Sequence, residues 1–334
     1  VSRWRWAGVA ILSAGLLFLA AQFLGAVRAV SANSSETIFE IRKGDSVRGV
    51  ARRLRAEGIS EWPKWLVFQA YWKGVARHLK YGEYAIPPHV SIDQLLALLV
   101  SGKTRHHSIT FVEGWTFDQI LNAVHAHPAL EHALADRGRD ELLAAIGLSG
   151  EHPEGRFFPD TYVFAKGYRD TELLRRANEK MASVLEAEWR QRQDGLPYAT
   201  PTEALTLASI VEKETSIDAE RPRVAGVFVR RLRRGMRLQA DPTVIYGMGA
   251  AYRGDITRQA LLSDTPYNTY TRAGLPPTPI AMPGLASLQA ALHPDAGDSL
   301  YFVAAGDGSH VFSSTLAEHQ RAVAAFLKQQ RHDE

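Results

Sequence analysis

The sequence predicts an α+β fold in three parts: an N-terminal transmembrane helix, a small α+β module and a larger mixed α+β domain. Three observations predict it. Residues 7–27 carry no charged side chain, a run long enough to cross a bilayer as a helix. Between residues 37 and 105, two strand patterns are interleaved with helix-period patterns. Beyond residue 106 helical patterns dominate until a hairpin pattern near the C-terminus.

The elements can be justified in order. Arg3 and Arg5 precede the uncharged run, Trp4 and Trp6 sit at its start, and only Arg28 follows closely. Interfacial aromatics and the positive-inside rule favour a cytoplasmic stub and anchor over residues 1–30. The run exceeds the apolar core of a secretory signal, so a retained anchor is favoured over cleavage near Val30-Ser31-Ala32. Both readings place the remainder outside the cytoplasm. Residues 31–36 are a polar linker. In the module at 37–105, a strand over 37–41 leads to the turn Lys43-Gly44-Asp45-Ser46, and Val47, Val50, Ala51 and Leu54 follow at helical spacing. A second helix is expected over about 60–74, with Trp62, Trp65, Phe68 and Trp72 in the core. A strand over 81–86 precedes the capping box Ser91-Ile92-Asp93-Gln94 and a helix ending before Gly102.

In the domain at 106–334, the strand 109–112 turns through Glu113-Gly114-Trp115-Thr116 into a helix over 117–125, and a mostly helical passage runs to about Leu148. Asp170 caps a helix reaching about Gln193. A helix over 218–234 carries six arginines, read as a solvated face with one or two ion pairs, among them Arg221 with a nearby glutamate. The proline-rich segment 274–284 is extended. The hairpin 301–304/310–312 turns at Gly306-Asp307-Gly308, and a last helix begins at Thr315.

Composition narrows the function. Apolar content of 46% and charged content of 22% are those of a globular protein with a good core. Absence of cysteine excludes disulfides, thiol nucleophiles and thiolate metal sites. The histidines lack metal-binding spacing, so no metal and no cofactor is expected. A net charge of +3 suits an acidic polymer or a membrane surface, and the export signal argues against nucleic acid.

The chemistry concentrates in the helix opened by Thr200, Pro201 and Glu203, a capping box with proline at the first position. Its apolar arc runs from Ile210 through Leu207, Val211, Ala204 and Ala208 to Leu205, with Thr206, Ser209 and Lys213 on the polar side. Glu212 and Glu214 fall at opposite margins of that arc. A carboxyl on an apolar face has a raised pKa, the property of a general acid, and an ion-paired structural acid fits the same pattern. Geometry alone leaves the two glutamates open. The Glu154-Gly155-Arg156-Phe157-Phe158-Pro159-Asp160-Thr161-Tyr162 stretch mixes charge, rings and turn formers as a binding wall does.

Six stretches, residues 154–162, 208–215, 235–249, 267–270, 274–284 and 301–312, together resemble the endolytic murein transglycosylases of the MltG type, the YceG-like family. Residues 37–105, with Lys43-Gly44-Asp45-Ser46, are similar to that family's LysM-like subdomain. The resemblance implies a membrane-anchored peptidoglycan lytic transglycosylase on the periplasmic or extracytoplasmic side. It would cleave the MurNAc–GlcNAc β-1,4 bond of nascent glycan strands and leave 1,6-anhydro ends. It also implies Glu214 as catalytic acid and association with peptidoglycan synthases. Glu154, Arg156, Asp160, Asp241, Asn268 and Tyr270 are the candidate substrate-binding residues, and Trp115, Phe157, Tyr162, Tyr246 and Tyr267 the candidate stacking rings. Thr278 departs from the glycine found in many members. Two alternatives stay open: a two-carboxylate hydrolase pairing Glu214 with Glu154 or Asp241, and a non-catalytic glycan-binding scaffold.

Overall fold

The computed structural model describes residues 13–14, 32–133 and 138–333. The expected membrane helix at 7–27 lies, apart from 13–14, outside the described residues. Among the described residues, no helix is long and apolar enough to cross a membrane. The fold is mixed α+β, and every strand described belongs to a two-stranded pair. The described residues form two compact units, one holding those up to 107 together with 163–168, the other holding those of 108–162 and from 169 onward.

In the first unit, β1 (Thr37–Ile41) and β2 (Gly82–Ile86) pair antiparallel, Thr37 opposite Ile86. Between them lie α1 (Val47–Ala56) and α2 (Pro63–Trp72), and α3 (Ile92–Ser101) follows. Ser46 Oγ caps α1 by accepting the Gly49 N–H. The Ser91/Gln94 box opens α3, and Gly102 closes it in the left-handed conformation at φ 72°. Phe39, Val50, Leu54, Leu66, Tyr84 and Leu99 form the core. Trp62 and Trp65 pack partly buried against it. Phe68 and Trp72 do not: α2 turns Leu66 and Ala70 inward and leaves those two rings in solvent. A helix that is apolar on every side gives periodicity no means of choosing its inner face. Lys166, in the 163–168 segment, is held by Glu83 at 2.9 Å and Glu40 at 3.1 Å.

After β3 (His106–Thr110), the second unit starts with α4 (Phe117–Ala126), which opens on a Thr116/Gln119 capping box. Short pieces follow: β4 (Leu130–Glu131) and α5 (Arg139–Ala145), then β5 (Thr161–Ala165) and β6 (Tyr168–Arg169), whose residues 163–165 and 168 count with the first unit. The passage to Leu148 is therefore less helical than its pattern predicts. Next come α6 (Asp170–Arg190), α7 (Pro201–Glu214), α8 (Arg221–Arg233), α9 (Asp241–Met248), α10 (Arg258–Leu262) and α11 (Leu285–Leu292). The hairpin of β7 (Tyr301–Ala304) and β8 (His310–Ser313) and then α12 (Leu316–Asp333) complete the chain. Asp170 is the first helical residue of α6 rather than its cap. Its carboxylate accepts the N–H groups of Thr171 and Ala133.

α7 is the central helix of this unit. α6, α8, α9 and α11 all pack on it. Its residues from Ala204 to Val211 are buried without interruption, including Thr206 and Ser209. The expected polar side is thus interior. Both hydroxyls escape the cost of burial by bonding backbone. Thr206 Oγ1 donates to the Thr202 carbonyl at 2.9 Å, and Ser209 Oγ donates to the Thr206 carbonyl at 2.7 Å. Ser209 Oγ also accepts the Ile280 N–H at 3.0 Å, which pins the proline-rich segment to the middle of α7. The arginines of α8 divide in a similar way. Arg221 and Arg231 are buried, and Arg231 donates to the carbonyls of Leu300 at 2.7 Å and Leu238 at 2.6 Å.

Ser209→Ala would leave the buried Ile280 N–H without an acceptor and lower the unfolding free energy by about 1–3 kcal/mol. Thr206→Val removes a donor that serves only its own helix and should cost less. Urea denaturation of the two variants checks the order.

Candidate active site

The last turn of α7 carries two carboxyls with opposite fates. Glu212 Oε1 accepts from Arg221 at 3.2 Å, and its Oε2 accepts the Gly284 N–H at 2.9 Å. The side chains of this ion pair are only 6% and 7% exposed. Arg221 also donates to Ser287 Oγ at 2.7 Å and Asp218 at 3.0 Å. Glu212 is therefore the glutamate that takes the ion pair expected of Arg221. Glu113 lies over Gly284: a Cβ there would stand 1.8 Å from Glu113 Oε1, so a side chain at 284 would displace the Glu113 carboxyl. Burial, and then the charge of Glu212, push the Glu113 carboxyl above its ordinary range.

Glu214 has no such partner. Its side chain is half-buried, and among the described residues no donor bonds its carboxyl. Burial pushes its pKa up to about 8, the nearby charge of Asp241 adds to the rise, and Arg231 opposes it. Its place at the C-terminal, electronegative end of a helix acts in the same direction. The group is a protonated acid at neutral pH.

Asp241 stands in the first turn of α9, and Tyr270 donates its hydroxyl to Asp241 Oδ1. The charges of Asp241 and Glu214 both hold the Tyr270 phenol above its usual range, after burial as the main cause. Glu214, Asp241 and Tyr270 are thus one electrostatic group drawn from α7, α9 and the loop before the proline-rich segment. The residue after Glu214 is fixed from the far end of the chain. Glu220 Oε2 accepts from Thr215 Oγ1 at 3.4 Å and contacts His310 Nδ1 at 2.7 Å.

A cleft of about 1360 Å³ opens beside this group. That exceeds the usual volume for a small ligand, about 300–1,000 Å³, and suits a polymer segment. Lys213 and Pro242 line it, each the chain neighbour of Glu214 and Asp241, which do not line it themselves. Glu154 also lines it. Burial raises Glu154 to about 7 although Tyr246 Oη and the Phe117 N–H donate to it, at 3.0 and 2.9 Å. The proline-rich segment passes close by: at Gly155, φ 79°, a Cβ would come within 2.6 Å of Pro279.

Residues 39–325 match the model of the YceG-like family. The chain belongs to the YceG-like family. A relative from Bacillus subtilis (strain 168), named endolytic murein transglycosylase, is 31% identical over 316 residues, covering 89% of this chain and 87% of its own. A relative of the same name from Streptococcus pneumoniae (strain ATCC BAA-255 / R6) is 27% identical over 354 residues, covering 95% of this chain and 63% of its own. A crystal structure of a YceG-like protein from Listeria monocytogenes superimposes with a TM-score of 0.55 at 30% identity, covering 86% of this chain and 99% of that one.

In this YceG-like chain the other candidates lie apart from Glu214 or are committed elsewhere. Asp160 pairs with Lys180, which holds its carboxyl below the usual range. Arg156 pairs with Glu151 at 2.5 Å and borders a separate hollow beside α6 and α7. Asn268 ties a loop together: its Nδ2 donates to the carbonyls of Ala260, Leu261 and Ser263, and its Oδ1 accepts the Tyr270 N–H. It therefore places Tyr270 rather than facing the cleft. Phe157 and Tyr162 are core residues, Phe157 stacked on Phe117 at 5.0 Å. Tyr246 and Tyr267 do line the cleft, edge to face at 4.8 Å. Thr278, at the position noted for its departure, bonds Tyr267 Oη at 2.8 Å. The carbonyl and N–H of Met282 bond the Gly114 N–H at 2.8 Å and the Trp115 carbonyl at 2.7 Å, so Trp115 helps clamp the segment. Glu113, Glu220, Arg231 and His310 escape sequence reading because each works through a partner more than 15 residues away or through backbone.

Glu212→Ala would remove the buried counter-ion of Arg221, leaving it the exposed Asp218, and would take the acceptor from the Gly284 N–H, at a cost of about 3–5 kcal/mol in a urea titration. Glu214→Gln acts the other way. Glu214 holds its proton more tightly folded (about 8) than at the ordinary value of 4.5, so its contribution to stability is full below about 4.5 and is lost as pH rises through about 8. The Gln variant should therefore become progressively more stable than the parent across that window, read as Tm against pH.

Proposed function

We propose that this chain is a membrane-anchored peptidoglycan lytic transglycosylase with Glu214 as its single proton-handling group. The observation that carries the reading is the unbonded carboxyl of Glu214, raised to about 8 at the end of a buried helix and beside a polymer-sized cleft. The names of the Bacillus and Streptococcus relatives support the reaction class.

In this reading the protonated Glu214 gives its proton to the GlcNAc oxygen as the β-1,4 bond from MurNAc C1 breaks. The resulting carboxylate takes the proton of the MurNAc C6 hydroxyl, whose oxygen closes on C1. The glycan ends as a 1,6-anhydro sugar, no water is consumed, and Glu214 returns to its starting state. A carboxyl with a pKa near working pH suits both half-steps. Positive charge developing at C1 is stabilised by a neighbouring carboxylate, and Asp241, linked to Tyr270, is the nearest candidate. The Tyr246 and Tyr267 rings offer faces for sugar stacking. Residues 37–105 are assigned as a LysM-like glycan-binding module and residues 7–27 as a single-pass anchor. The second unit would then lie on the extracytoplasmic side, where peptidoglycan synthases are the expected partners.

One observation favours a second reading. Glu154, raised to about 7 and lining the cleft, could serve with Glu214 as the second carboxylate of a hydrolase. Mass spectrometry of fragments released from purified glycan strands decides between them. Anhydro ends are expected from the parent and none from Glu214→Gln; reducing ends would select the hydrolase. Undiminished lysis by the Gln variant would exclude Glu214 as the acid. The parent's kcat/KM should fall as pH rises through about 8, where Glu214 loses its proton.

A further inference from the structure

Among the described residues, the outer face of α2 has no counterpart elsewhere in the first unit. Leu66 and Ala70 face the core, while Phe68, Tyr71 and Trp72 on other faces are 50%, 56% and 80% exposed, and Tyr81 beyond the helix is 61% exposed. Phe68 and Trp72 stack at 6.1 Å, so these two rings form one surface, and Tyr71 follows Phe68 at helical spacing. A surface helix ordinarily turns polar side chains outward. From Trp62 to Tyr81 the sequence holds Lys64, Lys73, Arg77 and Lys80 and no carboxylate. Lys73 reaches Asp93 at 2.9 Å, and Lys64, Arg77 and Lys80 are exposed. Aromatic rings with a cationic rim are the side chains that seat at the headgroup level of an anionic bilayer. A sugar platform would set amides or carboxylates around its rings to hold hydroxyls. The only such group between Trp62 and Tyr81 is Gln69, whose Oε1 is buried.

The entry of the chain limits how far the first unit can stand from the bilayer. The Ala32 N–H donates to the Ile59 carbonyl at 3.0 Å, and Asn33 Nδ2 donates to the Ile86 carbonyl at 3.1 Å. Ile59 lies just before the start of α2 at Pro63. The uncharged run ends at Val27, so only residues 28–31 separate it from the first residue bonded to the fold. Whatever their conformation, these steps span at most about 18 Å. The headgroup layer is itself roughly 6 Å deep on each side, and α2 is about 15 Å long. A chain anchored at 7–27 therefore has the first unit lying against the leaflet.

We infer that the Phe68–Tyr71–Trp72 face docks the first unit onto the anionic headgroup layer of the bilayer crossed by residues 7–27. The inference rests on the anchor reading proposed above. It gives α2 a function distinct from glycan binding: it fixes how the first unit stands on the membrane.

The absence of native cysteine makes the test direct. The full chain carrying Trp72→Cys, labelled with an environment-sensitive dye, is reconstituted into vesicles containing phosphatidylglycerol. A second full chain carries the label at Glu172→Cys, an exposed position of the second unit. Flotation with the vesicles after alkaline extraction reports the anchor, and dye emission with quenching by spin-labelled lipid reports the face. Expected are flotation of both chains, a blue shift at position 72, and quenching several-fold stronger there than at 172. Flotation with position 72 still in water overturns the docking face and leaves the anchor standing. Failure to float overturns both. A shift at 72 that needs added glycan strands assigns the face to sugar, and one that needs a high protein-to-lipid ratio assigns it to a second copy; either overturns the inference.

Discussion

A carboxyl withdrawn from water must be paired or must keep its proton, and α7 ends with one of each. Glu212 takes Arg221 on one oxygen and the Gly284 N–H on the other. Glu214, two residues on and therefore on the other side of the helix, has no donor and is raised to about 8. The first arrangement makes the second possible. Arg221 cannot discharge Glu214 because Glu212, Asp218 and Ser287 hold it. Arg231 cannot do so by contact because it donates to the Leu300 and Leu238 carbonyls. The proton on Glu214 is kept by everything that occupies its neighbours.

The proline-rich segment acts from the opposite side. It meets α7 at Ser209, Glu212 through Gly284, and the turn at Gly114 through Met282. Prolines cannot complete a sheet ladder, so the segment can be held only by such isolated bonds. Each lies at a residue that can accept or donate from within an apolar setting. Gly155 marks where the segment passes too closely for a side chain. The cleft wall is thus built from backbone approach as much as from side chains.

Much of this was legible in the sequence. The Thr200-Pro201-Glu203 start of α7, the Ser91–Gln94 box and the inward residues of α1 are local signals, and local structure obeys them. The Glu212–Arg221 pair was legible because a short loop joins the two helices. Ser209 was not, since a hydroxyl is equally at home in water or bonded to a buried N–H, and only the distant Ile280 decides. Trp72 was misread because aromatic content signals burial only when one face of a helix is polar. Asn268 carries no mark to distinguish a loop knot from a sugar ligand. The Glu214 assignment came from resemblance, and periodicity alone had left it level with Glu212.

The tie from Thr215 through Glu220 to His310 has a consequence for assembly. The helix bearing Glu214 leaves the ribosome about a hundred residues before its own end is secured. Until Ile280, Gly284, Ser287 and finally His310 have been synthesised and docked, Ser209, Glu212, Arg221 and Glu220 lack the partners that hold the end of this helix in place. The end of the helix that bears Glu214 is secured only as the last hairpin closes, by which time the N-terminal part of the chain has long been made.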